Sequence, residues 1–99
     1  MSHPSRRTEN ADLSHSEFSN VKLESANFVN VNFGHAEFAD VNLAGARFDD
    51  VNLDGVVISN ANCSGLRISD ANYEGMRIDG ILVTEMLRAY RKEQSRGDA

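Results

Sequence analysis

The sequence predicts an all-β solenoid with a short C-terminal α-helix. Three observations carry that expectation: an unbroken five-residue period over 11–85, an apolar third place in every unit, and a change to helical spacing after Thr84. Cut from Ala11, the chain reads ADLSH, SEFSN, VKLES, ANFVN, VNFGH, AEFAD, VNLAG, ARFDD, VNLDG, VVISN, ANCSG, LRISD, ANYEG, MRIDG and ILVTE. Third places run from Leu13 and Phe18 through Phe38 and Leu53 to Ile78 and Val83, with Cys63 and Tyr73 among them. First places are apolar in every unit except SEFSN, where Ser16 stands.

Such a period excludes the regular alternatives. Five residues of α-helix advance about 140° beyond a full turn, so the apolar positions would spiral around the surface and bury nothing continuously. In a straight strand an odd repeat would send successive large residues to opposite faces. What remains is a short extended segment with its first and third residues on one side, followed by a corner, so that each five forms one side of a coil.

ANFVN, AEFAD, VNLAG, VNLDG and ANYEG closely resemble the pentapeptide-repeat family, whose units read Ala, Asp or Asn, Leu or Phe, then two variable places. The resemblance covers about three quarters of the chain and implies a right-handed quadrilateral β-helix with four pentapeptides per coil, here about 3.5 coils, roughly 17 Å tall at the inter-strand spacing. Residues twenty apart then stack. The expected ladders are Leu13, Phe33, Leu53, Tyr73; Phe18, Phe38, Ile58, Ile78; Leu23, Leu43, Cys63, Val83; and Phe28, Phe48, Ile68.

Neighbouring volumes agree with a packed interior. Phe28, Phe38 and Phe48 follow Ala26, Ala36 and Ala46, whereas the smaller Ile58, Ile68 and Ile78 follow Val56, Leu66 and Met76. A period of ten runs through the polar places. Asn32, Asn42, Asn52, Asn62 and Asn72 alternate with Glu37, Arg47, Val57, Arg67 and Arg77, and on a square coil alternate sides are opposite sides. Corners alternate too, between Gly45, Gly55, Gly65, Gly75 and the Asn or Asp set at 20, 30, 40, 50, 60 and 70, residue types that tolerate tight turns.

The ends are expected to differ from the column. Residues 1–10 read as a flexible segment, 11–83 as the repeat column, 84–94 as a capping helix and 95–99 as a disordered tail. Thr84 stands at the N-cap place, Glu85 in the first turn, and Met86, Leu87 and Tyr90 at helical spacing. Leu82 takes an outward place held elsewhere on that side by Lys22, Asn42 and Asn62. The terminal helix or a second subunit should cover it, so Leu82, Met86, Leu87 and Tyr90 are the candidate cap or dimer contacts and a homodimer is expected.

Composition narrows the function. Ninety-nine residues allow one small domain, and 40% hydrophobic content is what two inward residues in five require. The net charge of −5 argues against direct nucleic acid binding. A single Cys excludes an internal disulfide and a Cys-based zinc cluster. No apolar run reaches membrane-span length and MSHPSRRTEN lacks an apolar export region, so a soluble cytoplasmic protein that does not bind membranes is expected.

Enzyme motifs are absent: no phosphate-binding loop, dinucleotide fingerprint, nucleophile elbow or helical His pair. No catalysis, metal or cofactor is expected. His15 and His35 stack at one corner, but without a third ligand they read as two solvated imidazoles. Cys63 and Tyr73 read as core, and the Asn ladders as amides bonding one another or the corners. Charge is left as the surface feature with potential function. Residues 11–80 hold four cations against eleven carboxylates, a net −7, and the flanks carry +2.

The reading is a non-catalytic scaffold or protein interaction module with an acidic surface for an unidentified protein. Glu17, Glu37 and Asp40 on one side are the candidate interaction residues. The alternative, implied by the resemblance, is a DNA mimic acting on a type II topoisomerase such as DNA gyrase. Members with that activity are generally longer rods, and Arg47 and Arg67 interrupt an acidic side here.

Overall fold

A left-handed backbone residue at every fifth position shapes the fold. From Asn10 to Gly80 all of them have φ between 51° and 82°. The computed structural model describes residues 7–97. At His15, Ser25, His35, Gly45, Gly55, Gly65 and Gly75 the corner closes with a hydrogen bond across four residues, as from Ala46 N–H to the Leu43 carbonyl at 3.0 Å. Positive φ at the third residue of such a turn marks type II, a place that favours Gly. The intervening corners, Asn10 to Asp70, follow three-residue strands, and from Asn10 to Asp50 their N–H groups bond across coils, as from Asn30 to the Asp49 carbonyl at 2.9 Å.

Strands β1 (Arg7–Glu9), β3 (Asn27–Val29), β5 (Arg47–Asp49) and β7 (Arg67–Ser69) form one parallel sheet. β2 (Glu17–Ser19), β4 (Glu37–Ala39) and β6 (Val57–Ser59) form the opposite one. Single bridges hold the other two sides, joining Asp12, Asn32, Asn52 and Asn72 on one and Lys22, Asn42 and Asn62 on the other. Each pairing on these four sides joins residues twenty apart, giving a parallel four-sided β-solenoid of about three turns, as the sequence predicts.

The interior is the first and third places. Phe33, Phe38 and Leu43 are fully buried, and Ala26, Val31, Ala36, Val41, Ala46 and Val51 surround them. Phenylalanines stack along the column, Phe18 on Phe38 at 4.5 Å between centroids and Phe28 on Phe48 at 4.8 Å. Across the coil, Phe28 meets Phe33 edge to face at 5.1 Å. Both geometries suit the ring quadrupole.

Both ends depart from expectation. Arg7–Glu9, placed in a flexible segment by the sequence reading, forms β1, with Thr8 in register with Phe28. Main-chain pairing needs no apolar side chain, so a polar unit can still join the ladder. The rest of that expectation, over 1–6, lies outside the described residues. At the other end the ladder stops. β8 (Arg77–Ile78) pairs with β9 (Ile81–Leu82) in an antiparallel hairpin, so Ile78 is in register with Ile81 and does not extend the β6 ladder. Asp79 and Gly80 are both left-handed, at 49° and 82°, the requirement of a type I′ turn.

The helix α1 (Val83–Gly97) follows at once, so Val83 is helical and is not stacked on Cys63. It starts one residue earlier and ends three later than the 84–94 of the sequence reading. Residues 95–97 are thus helical where a disordered tail is expected, and 98–99 lie outside the described residues. No helix among the described residues is long and apolar enough to cross a membrane.

Candidate interaction surfaces

The Asn sides are occupied by the fold itself. In each unit the second-place carbonyl oxygen accepts the N–H two residues on: Asn32 from Gly34 at 2.9 Å, Asn42 from Ala44 at 3.0 Å, Asn52 from Asp54 at 3.0 Å and Asn62 from Ser64 at 3.1 Å. This turn explains the residue type, because a short side-chain carbonyl reaches its own backbone there. The amide nitrogens work across coils, as from Asn52 to Asn32 at 3.1 Å. Asp12 makes the same turn with Ser14. Hydrogen bonds from the Ser14 side chain and N–H hold its carboxyl below the ordinary 3.8, with His15 helping and desolvation opposing.

A different chemistry lines the β2–β4–β6 side. Glu17 and Glu37 are exposed and directly in register, followed by Val57, while Ser19, Ala39 and Ser59 form a parallel row of small residues. Like charges adjacent across strands oppose the pairing, yet neither carboxylate has an ion-pair partner among the described residues. Asp40 occupies the adjoining corner, its N–H donating to the Ser59 carbonyl at 3.1 Å. The three sequence-selected acids are thus adjacent on the surface. The opposite side is mixed: Arg47 and Arg67 are in register, with Arg47 3.4 Å from Asp49 and Arg7 paired with Glu9.

The remaining candidates divide. His15 and His35 stack at 5.3 Å with rings 12° from parallel. Rings stacked face to face do not aim their nitrogens at one point, and no group of three His, Cys, Asp or Glu fit to hold a metal occurs among the described residues. Cys63, expected in the core, is exposed, because the chain that should cover it turns away at Asp79. Tyr73 is half-buried and borders a hollow shared with Thr84, Leu87, Arg88 and Arg91.

Of the cap or dimer residues, Leu82, Met86 and Leu87 are half-buried, whereas Tyr90 is 61% exposed. The last coil is open, with Ile68 36% and Ile78 49% exposed. The sequence reading missed this opening, although Asp79-Gly80 between apolar residues is the signal of a two-residue hairpin.

Comparison with known protein families matches residues 9–57 to a model described as Pentapeptide repeats (9 copies). No curated protein matches the chain. The matched stretch holds the entire buried core and the Glu17, Glu37 and Asp40 cluster.

Proposed function

Because the chain belongs to the pentapeptide-repeat family and its solenoid is that of a repeat scaffold or interaction module, we propose that it acts without catalysis, by docking a protein partner on the side formed by β2, β4 and β6. The observation that carries this reading is the register of Glu17 with Glu37, two exposed carboxylates with no neutralising partner among the described residues, beside the small residues Ser19, Ala39 and Ser59. A partner lays Lys or Arg side chains along that flat face and covers the exposed Val57 at its edge. Strands β2 and β4 and the Asp40 corner fix the backbone beneath the acids, so only their side chains are ordered at binding.

The test compares partners captured by the intact protein and by a Glu17→Lys, Glu37→Lys, Asp40→Lys variant whose β-sheet circular dichroism matches it. The expected result is loss of a salt-sensitive partner by the variant. Identical partner sets overturn the reading.

The acidic body also favours the second reading, a DNA mimic directed at DNA gyrase. The Arg47–Arg67 register lies against it, since it sets paired cations on the opposite side of the column. Unchanged gyrase supercoiling at excess protein would retire it.

A further inference from the structure

The last coil comes apart after Asn72. In the preceding coil the Asn52 N–H reaches the Val31 carbonyl at 3.0 Å, but Asn72 reaches Val51 only at 3.4 Å. Beyond it no backbone hydrogen bond joins residues 73–79 to 53–59 among the described residues, because β8 pairs with β9 instead of β6. The corners separate as well. A β-carbon on Gly65 would meet Gly45 at 3.7 Å, whereas one on Gly75 meets nothing within 4 Å. The gap is a cleft of about 490 Å³, with Leu53 to Ile58 on one lip and Asn72 to Arg77 on the other. Leu53, Val56, Ile58 and Met76 border both this cleft and an adjoining recess of about 270 Å³.

One lip carries the free edge of β6. Val57 and Ser59 turn their main-chain groups to β4, the Val57 N–H donating to the Ala36 carbonyl at 3.0 Å and the Ser59 carbonyl accepting from Asp40 at 3.1 Å. Alternation along the strand turns those of Ile58 the other way, into the cleft. The Val56 carbonyl and Asn60 N–H face it too, as counterparts of the Ala36 carbonyl and Asp40 N–H that hold β6 in place. None of these cleft-facing groups has a backbone partner among the described residues. Such an edge is a template for one more strand.

Size and charge select that strand. The end of a second column, from a molecule whose two shorter extents are 30 and 26 Å, is too broad to pass between the lips and brings the same carboxylates. A single extended segment needs only about 5 Å of sheet. Asp54 and Glu74 stand on the lips without ion-pair partners among the described residues, and Arg77 beside them donates to the Gly80 carbonyl at 3.0 Å. An entering strand therefore meets apolar side chains within and carboxylates at the rim.

We propose that this cleft takes an extended segment of another protein as a further strand of the β2–β4–β6 sheet. The segment lays apolar side chains at alternate places towards Ile58 and Met76, and Lys or Arg at its ends towards Asp54 and Glu74. Pairing uses the edge of the sheet and not the acids on its face, so it stands apart from the docking of a partner on Glu17, Glu37 and Asp40.

The probe is a short synthetic peptide with valine at alternate places and lysine at each end, added to the full chain under reducing conditions up to about 1 mM. Amide hydrogen exchange reads the pairing. The Ile58 and Asn60 N–H groups are expected to exchange readily in the free chain, and about tenfold more slowly when about nine chains in ten hold the peptide. The Glu37 N–H, already bonded to Ser16, is the reference and stays unchanged. The same peptide with its amides N-methylated is expected to bind at least about tenfold more weakly. Asp54→Lys with Glu74→Lys, both at exposed positions, is expected to weaken binding at least about threefold. Glu17→Lys with Glu37→Lys is expected to leave it unchanged, which separates this test from that of the acidic side.

Unaltered exchange at about 1 mM peptide overturns the proposal. So does equal binding of the methylated peptide, or equal binding by the Asp54 and Glu74 variant. Slow exchange at Ile58 and Asn60 in the free chain overturns it too, because the chain's own lip or a second copy then fills the edge.

Discussion

The imidazole of His35 lies over the α-carbon of Gly55, one coil further along the same corner. A β-carbon at position 55 would stand 2.5 Å from Nδ1 and 2.7 Å from Cε1. The corner is therefore a short stack of His15, His35 and a bare glycine. His35 rests on a residue without a side chain, and His15 stacks on His35.

Gly55→Ala is expected to cost about 1–2 kcal/mol through its left-handed φ of 72° and also to displace His35. Gly75→Ala has the same backbone strain, but its β-carbon meets nothing within 4 Å. Denaturant titration should therefore give similar losses for the two variants. The His15 and His35 imidazole resonances should shift in Gly55→Ala alone.

Asn52 makes two bonds, accepting from Asp54 N–H and donating to Asn32. Asn52→Ala removes both and is expected to lower stability by about 1–2 kcal/mol. Asn52→Asp keeps the local turn and loses the donor to Asn32, so a smaller loss is expected. Equal losses for the two would show that the local bond from Asp54 contributes nothing, and no loss in Asn52→Asp would show the same of the inter-coil amide bond.

Phe38 is buried and stacks on the half-buried Phe18. Phe38→Ala is expected to cost about 3–5 kcal/mol, a large share of the stability of a domain of this size, while Phe18→Ala should cost clearly less. Thermal unfolding followed by circular dichroism ranks them.

The Asp12 carboxyl is held below 3.8 by its bonds with Ser14. A depressed folded value means that the stabilisation is complete above the unfolded value and is lost as pH falls through the folded one. Asp12→Asn keeps the turn without the titration. Relative to that variant, the native chain should lose stability on acidification below about pH 4. Parallel pH profiles for the two would refute the assignment.

The ladders were legible because the repeat forces them: Phe38 must lie over Phe18 once four units close a coil, and it does. The adjacency of Glu17 and Glu37 followed from the same count. Thr8 escaped because its unit is polar at the place where the pattern requires an apolar residue. The column's end escaped for the opposite reason. MRIDG satisfies the repeat frame, yet its Asp79-Gly80 also satisfies a hairpin turn, and the hairpin prevails. Exposure of Cys63 and Ile78 followed from that local choice, which no periodicity could show.

The left-handed residue at each fifth place also sets how such a chain can lengthen or shorten. One inserted residue would put a corner conformation on a side and rotate every later core residue out of place. Removing residues 27–46 instead joins Ala26 to Arg47, which takes the place of Asn27 beside Arg7, and sets Phe48 over Thr8. The length of this column is a counted quantity, altered without penalty to register only in whole coils of twenty.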